Sequence, residues 1–192
     1  LSSLNRNRIQ NVAQAQDAAL YSESIKSRSA QKDAMFETPE DFIENLMPIA
    51  EKIAEKYGMD PKAIVSQAAV ETGWGKFVIH KSDGSSSHNL FGIKANKGWQ
   101  GEQAVVDTLE FNNGLPQKQK AAFRSYSSVE EAMEDYGRFI TTQPRYSRAV
   151  DNASDAVKYT SALQEAGYAT DPEYASKIMA VYNSDRLRGL MP

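Results

Sequence analysis

Glu71 combines a chemically useful side chain with an unusual position. Ile64, Ala68 and Glu71 are spaced i, i+4 and i+7, so on a helix the carboxylate projects from the face that carries the apolar stripe. A carboxylate there is costly unless it is paired or kept protonated. Thr72-Gly73 marks the end of that helix, where the negative end of the dipole also disfavours an anion. Trp74 follows at once and offers a dry wall. All three influences raise a carboxyl pKa, which is what a general acid working near neutral pH requires. The local pattern leaves one alternative open: a structural glutamate paired with a lysine or arginine at a helix end.

Other chemistries are poorly provided for. Cysteine is absent, which removes thiol nucleophiles and disulfides together. The two histidines, His80 and His88, lie eight residues apart with no carboxylate at ligand spacing. A zinc hydrolase needs more ligands than that pair supplies, so they are expected to be solvent-facing or structural, with no metal site. No organic cofactor is implied. The chemistry is left to carboxylates, hydroxyls and tyrosines. The 22 Lys+Arg against 25 Asp+Glu give a net charge of -3 without a basic stripe, which argues against nucleic-acid binding. An anionic polymer would be held by shape and hydrogen bonds rather than bulk charge.

These groups must be positioned by the elements around them. Residues 1–36 are rich in Ser, Asn, Gln, Ala and Arg. They read as a linker or a partly helical arm, because the weak stripe Ile9, Val12, Leu20 cannot bury a core alone. Residues 37–192 read as the folded domain. Thr38-Pro39 predicts a capped helix start, followed by Phe42, Leu46, Ile49, Ile53 and Tyr57 at helical spacing and closed by Gly58. Pro48 inside that run is expected to kink or split the helix. Asp60-Pro61 repeats the start signal for the helix that carries Glu71. Ser127 to Glu131 offers two overlapping capping boxes for a helix carrying Val129, Met133, Tyr136 and Ile140 inward. Two further helices are expected over about 154–166 and 172–184. Residues 103–111 and 119–126 read as strands flanking a turn-rich loop, Asn112 to Pro116.

The predicted fold is therefore mainly α (α+β), one hairpin inserted among helices. No apolar run approaches the ~20 residues that span a bilayer. The chain begins Leu1-Ser2-Ser3 and reads as a fragment or processed product whose targeting signal lies outside it.

Three strings in order, Ala68 to Lys76 (AAVETGWGK), His88 to Lys94 (HNLFGIK) and Gly167 to Ala175 (GYATDPEYA), resemble glycoside hydrolase family 73. That family comprises bacterial cell-wall glucosaminidases, and the resemblance, over about residues 36–186, is nearest the flagellar type. It implies a lysozyme-like fold, a helical lobe and a small β-hairpin lobe with a groove between. It implies Glu71 as the catalytic acid, Glu110 as the second acidic group, Asp135 as a further acidic residue, and Tyr168 and Tyr174 as tyrosines near the groove. From the residues themselves, Glu110 could equally pair with Lys118, Lys120 or Arg124 across the hairpin. Asp135 could simply cap or pair, and the two tyrosines could simply pack.

Trp74, Phe91 and Trp99 are candidates for sugar stacking or for the core. Gly92 between large apolar residues suggests close backbone approach along a groove floor. Asn89 is free to bond backbone or a substrate acetamido group. The implied activity is an endo-β-N-acetylglucosaminidase cutting the peptidoglycan glycan strand, opening the wall for flagellar rod assembly. The second role at the site falls to a carboxylate or to the substrate's own N-acetyl group. The resemblance also implies a periplasmic location, with rod proteins as partners of a missing N-terminal part. Two alternatives stand beside it: a lytic transglycosylase on the same fold, and a non-catalytic wall-binding or flagellar-assembly module.

Overall fold

A computed structural model describes residues 34–96 and 98–189, with the side chains of 108–112 excepted. Residues 1–33, and with them most of the expected arm, lie outside the described residues. The arm's last two residues are already part of the domain. Met35 and Phe36 pack against the core, and the Met35 amide donates to the Gly75 carbonyl at 3.1 Å.

Helix α1 spans Pro39–Tyr57 and starts where its sequence says it should. The Thr38 hydroxyl accepts from the Asp41 amide, and Gly58 closes the helix in the left-handed region at φ 70°. Pro48 does not split it. The proline lies on the exposed side, where the carbonyl it displaces can tilt toward water and the helix continues. Helix α2, Pro61–Thr72, is capped by Asp60 and closed by Gly73 at φ 56°. Its middle is buried all round, from Lys62 through Ala69, which is why its apolar residues do not form a narrow stripe. Ala63, Ser66, Ala68 and Ala69 are small enough to let neighbouring helices close on every side.

Strands β1 (Gln103–Asn112) and β2 (Leu115–Arg124) pair antiparallel, from Gln103 opposite Arg124 to Asn112 opposite Leu115. The connection is tighter than the five-residue loop expected. Asn113 and Gly114 both have positive φ, 52° and 79°, the pattern of a two-residue turn that matches strand twist. Leu115 and Pro116 consequently belong to the second strand. At its base the hairpin is fastened to the rest. Ala104 and Phe123 pack on Ile79, and the Ala95 and Arg124 amides donate to the Ala122 and Ile93 carbonyls.

Helix α3 (Val129–Thr142) is capped by Ser128, and Met133, Tyr136 and Ile140 are buried as expected, while Val129 is only partly so. The Glu131 carboxylate reaches back to Ser127 instead of completing the box on Ser128. A turn at Pro144–Tyr146 leads to short α4 (Ser147–Asp151), which was not expected. Helix α5 is Ala156–Glu165, α6 is Tyr174–Tyr182, and a last turn, α7, is Asp185–Arg188. Helix α6 starts two residues later than predicted. The Asp171 carboxylate accepts from the Glu173 amide at 2.9 Å, so Asp171-Pro172 forms a turn and not a cap. The core joins α1, α2, α3, α5 and the irregular segment Leu90–Ile93. Among the described residues no helix is long and apolar enough to cross a membrane.

Candidate active site

Glu71 occupies the last turn of α2, with its side chain half-buried. Oε1 accepts a hydrogen bond from the Tyr174 hydroxyl at 2.7 Å. Oε2 has no protein donor among the described residues. It faces Gly92, where a Cβ would stand 3.2 Å away. Gly92 is exposed and holds φ 64°, so a glycine there both permits the backbone and puts no side chain against the oxygen. The expected close approach at Gly92 is thus to the carboxyl group itself.

Burial pushes the Glu71 carboxyl up to about 7, and the Tyr174 hydrogen bond opposes that rise. No lysine or arginine among the described residues pairs with it. A carboxyl poised near neutrality, with one oxygen fixed and the other open, suits proton donation.

Tyr174, at the start of α6, is buried, and its ring stacks on Tyr168 with centroids 5.9 Å apart and planes 12° apart. The Tyr168 hydroxyl donates to the Phe91 carbonyl at 2.6 Å. Two of the three quoted strings thereby meet at the third, around Glu71. Arg145 holds the bend before Tyr168 by donating to the Ala166 and Gly167 carbonyls.

Other candidates take different places. Phe91 is 1% exposed and stacks on Tyr136 with centroids 4.0 Å apart, so its ring is core and not a sugar platform. Asn89 is likewise buried. Its amide nitrogen donates to the Ile93 and Arg124 carbonyls, and its oxygen accepts from the Phe91 and Ile93 amides. Of the two partners considered for it, backbone takes the whole side chain, because the irregular 89–93 segment has no helix or strand to satisfy its amides. Trp74 packs edge-on against Phe42 and lies under Arg186. Trp99 is half-buried, meets Tyr126 edge-on, lies under the Arg124 guanidinium, and donates to the Glu102 carbonyl.

Asp135 is buried on α3, where it accepts from Arg124 at 2.9 Å and from the Tyr126 hydroxyl. It ties the foot of β2 to the helical lobe. Glu110 pairs in register with Gln117, three pairs from the Asn113-Gly114 turn; its side chain lies outside the described ones. By alternation it shares a strand face with Ala104 and Val106. His88 spends Nδ1 on the Tyr126 carbonyl and His80 bridges to Ser86. No cluster of three His, Asp or Glu that could hold a metal ion occurs among the described residues.

Gln67 and Tyr159 were not singled out from the sequence. Gln67, fully buried on α2, donates to the Tyr174 hydroxyl at 2.9 Å, and its carboxamide oxygen accepts from Tyr136, which also meets Tyr159. The signal was the i, i+4 spacing of Gln67 and Glu71, two polar residues on one face of a buried helix.

Comparison with known proteins gives concordant results. The glucosaminidase family, described as mannosyl-glycoprotein endo-beta-N-acetylglucosaminidase, matches residues 47–187. The peptidoglycan hydrolase FlgJ of Vibrio parahaemolyticus is 44% identical over 155 residues, which cover 81% of this chain and 50% of that protein. FlgJ of Pseudomonas aeruginosa is 46% identical over 152 residues, 79% of this chain and 38% of that protein. The chain thus spans half or less of the length of these curated relatives. The crystal structure of a peptidoglycan hydrolase from Sphingomonas sp. A1 aligns with a TM-score of 0.69 at 39% identity, over 78% of this chain and 91% of that one.

Proposed function

The chain belongs to the glucosaminidase family, glycoside hydrolase family 73, and from that membership we propose that it cuts the glycan strand of peptidoglycan at β-N-acetylglucosaminyl bonds. The observation that carries the reading is the state of Glu71: a carboxyl lifted to about 7, Oε1 held by Tyr174 and Oε2 facing exposed Gly92. Glu71 delivers its proton to the glycosidic oxygen as the bond to the anomeric carbon breaks, and the leaving sugar departs as a neutral alcohol. The positive charge that develops on the ring is met by Glu110 brought in from the hairpin, or by the substrate's own acetamido oxygen. Water then adds to the anomeric carbon. Trp99 and the exposed backbone at Gly92 are the surfaces offered to the sugar rings.

A second reading has one observation in its favour. No carboxylate among the described side chains acts on Glu71, and a lytic transglycosylase needs a single acid. Purified peptidoglycan incubated with the chain separates the readings. Falling turbidity with products ending in reducing N-acetylglucosamine supports hydrolysis, and anhydro-muramyl ends identify the transglycosylase. Walls left intact, with the chain bound to them, would favour a wall-binding module. The FlgJ relatives extend the proposal to a periplasmic enzyme that opens the wall for flagellar rod assembly, with rod proteins as partners of the remainder of the protein.

A further inference from the structure

Behind Glu71 runs a chain of buried polar groups that proton delivery does not itself consume. It passes from Tyr159 to Tyr136, Gln67 and Tyr174 and ends at Glu71 Oε1. Tyr136, Tyr159 and Gln67 are completely enclosed, and Tyr174 is 3% exposed. Burial pushes all three tyrosine hydroxyls up, Tyr136 and Tyr174 well above their usual range. Each stays neutral and carries one proton to donate.

The directions of these bonds are interdependent. The Tyr136 hydroxyl donates to the Gln67 oxygen, so the Gln67 amide nitrogen faces Tyr174 and donates to its oxygen. With that lone pair taken, the Tyr174 proton points to Glu71 Oε1. Tyr136 has spent its proton on Gln67, so Tyr159 must be the donor between the two tyrosines. An oxygen that accepts from Tyr174 is a poor place for the carboxyl proton. Were the proton on Oε1, the Tyr174 oxygen would face two donors and its own proton would have no acceptor among the described residues, a costly arrangement in a buried site.

We propose that Gln67, held by Tyr136, is a positioning residue that orients the Tyr174 hydroxyl toward Oε1 and thereby confines the transferable proton of Glu71 to Oε2, the oxygen on the open side. The general-acid reading of Glu71 says that this carboxyl gives up a proton; the chain behind it says from which oxygen. A reversed Gln67 carboxamide would invert every bond and put the proton on Oε1, aimed into the protein. The titratable groups facing Glu71 are Tyr174 on α6 and Tyr168 just before it, and no charged side chain among the described residues acts on it.

The inference rests on the glycan-cutting reading, and its test keeps the two apart. The side-chain carboxyl of Glu71 is titrated by carbon-13 NMR in the whole chain, wild type, Gln67→Met and Tyr136→Phe, with Glu71→Gln to assign the resonance. Turnover on purified peptidoglycan is measured in parallel. Because the Tyr174 bond favours the carboxylate, loosening it in Gln67→Met should raise the midpoint by about half a unit or more. Turnover should fall about tenfold or more with KM little changed, as expected when a proton is misplaced and binding is kept. Tyr136→Phe keeps the ring stacked on Phe91, protects folding, and should move both readouts the same way by less. A midpoint that falls means the chain runs in reverse, and one that stays put means Gln67 only fills space; either overturns the proposal. Wild-type chain that leaves peptidoglycan uncut removes the glycan-cutting reading, while the titration still judges the chain.

Discussion

At Glu71 two opposing influences act on one carboxyl group, and burial is the larger. The Tyr174 hydrogen bond favours the anion, yet the pKa still rises from 4.5 to about 7. The folded protein therefore binds this proton more tightly than the unfolded chain does. Below about pH 4.5 the group is protonated in both states, and its contribution is fully present. As the pH rises through 7, the folded state comes to hold a half-buried anion, and stability is lost up to roughly 3 kcal/mol. Glu71→Gln removes that loss and keeps an oxygen that can accept from Tyr174. The variant should melt above the wild type at pH 8, with the gap closing toward pH 4.5, while its cleavage of peptidoglycan disappears. A gap in melting temperature that is independent of pH would show that the carboxyl is not held protonated by the fold.

The hairpin and the helical lobe are joined at a buried ion pair, and that joint decides how Asp135 is to be understood. Arg124 ends β2, and its guanidinium lies between Trp99 and Phe139 while donating to Asp135. Asp135→Asn would keep an acceptor for Tyr126 but leave the Arg124 charge without its partner, at a cost of about 3–5 kcal/mol. Chemical denaturation should register that loss, and turnover per folded molecule should stay within a few-fold of wild type. Turnover that collapses while stability holds would place Asp135 in the chemistry instead. What was legible in the sequence follows the same division between local and distant causes. Thr38, Asp60 and Ser128 were readable as helix starts because a cap is made by residues a few positions apart. Asp171 misled because its carboxylate makes a turn, and Pro48 because an exposed proline can be carried by a long amphipathic helix. Glu71 stood out as a charge on an apolar stripe. Asn89 and Phe91 did not reveal which way they point, since an irregular segment has no periodicity to read, and Gln67, although one turn from Glu71, takes its role from Tyr174, 107 residues away.

In the whole domain the elements around Glu71 come from one packed lobe, whereas the proposed second carboxylate rides on a hairpin fastened at one end. Its base is held by Ala104, Phe123 and Ile79 and by the Arg124–Asp135 pair. Beyond that, β2 from Leu115 to Lys120 is exposed, and a two-stranded ribbon with little to bury is marginally stable. The pairs from Thr108–Gln119 to Asn112–Leu115 should therefore exchange their amide hydrogens faster than those at Ala104 and Phe123. Glycan lying between the hairpin and the helical lobe would slow that exchange by drawing the ribbon onto it, and would bring Glu110 toward Glu71. Glu110→Gln should then lower turnover on peptidoglycan by about two orders of magnitude or more, the size of a general-base contribution. The fold should be undisturbed, since the facing strand is exposed from Leu115 to Lys120 and an ion pair there contributes little. Near-normal turnover in that variant would remove Glu110 from the reaction and leave the acetamido group, or single-acid chemistry, as the partner of Glu71.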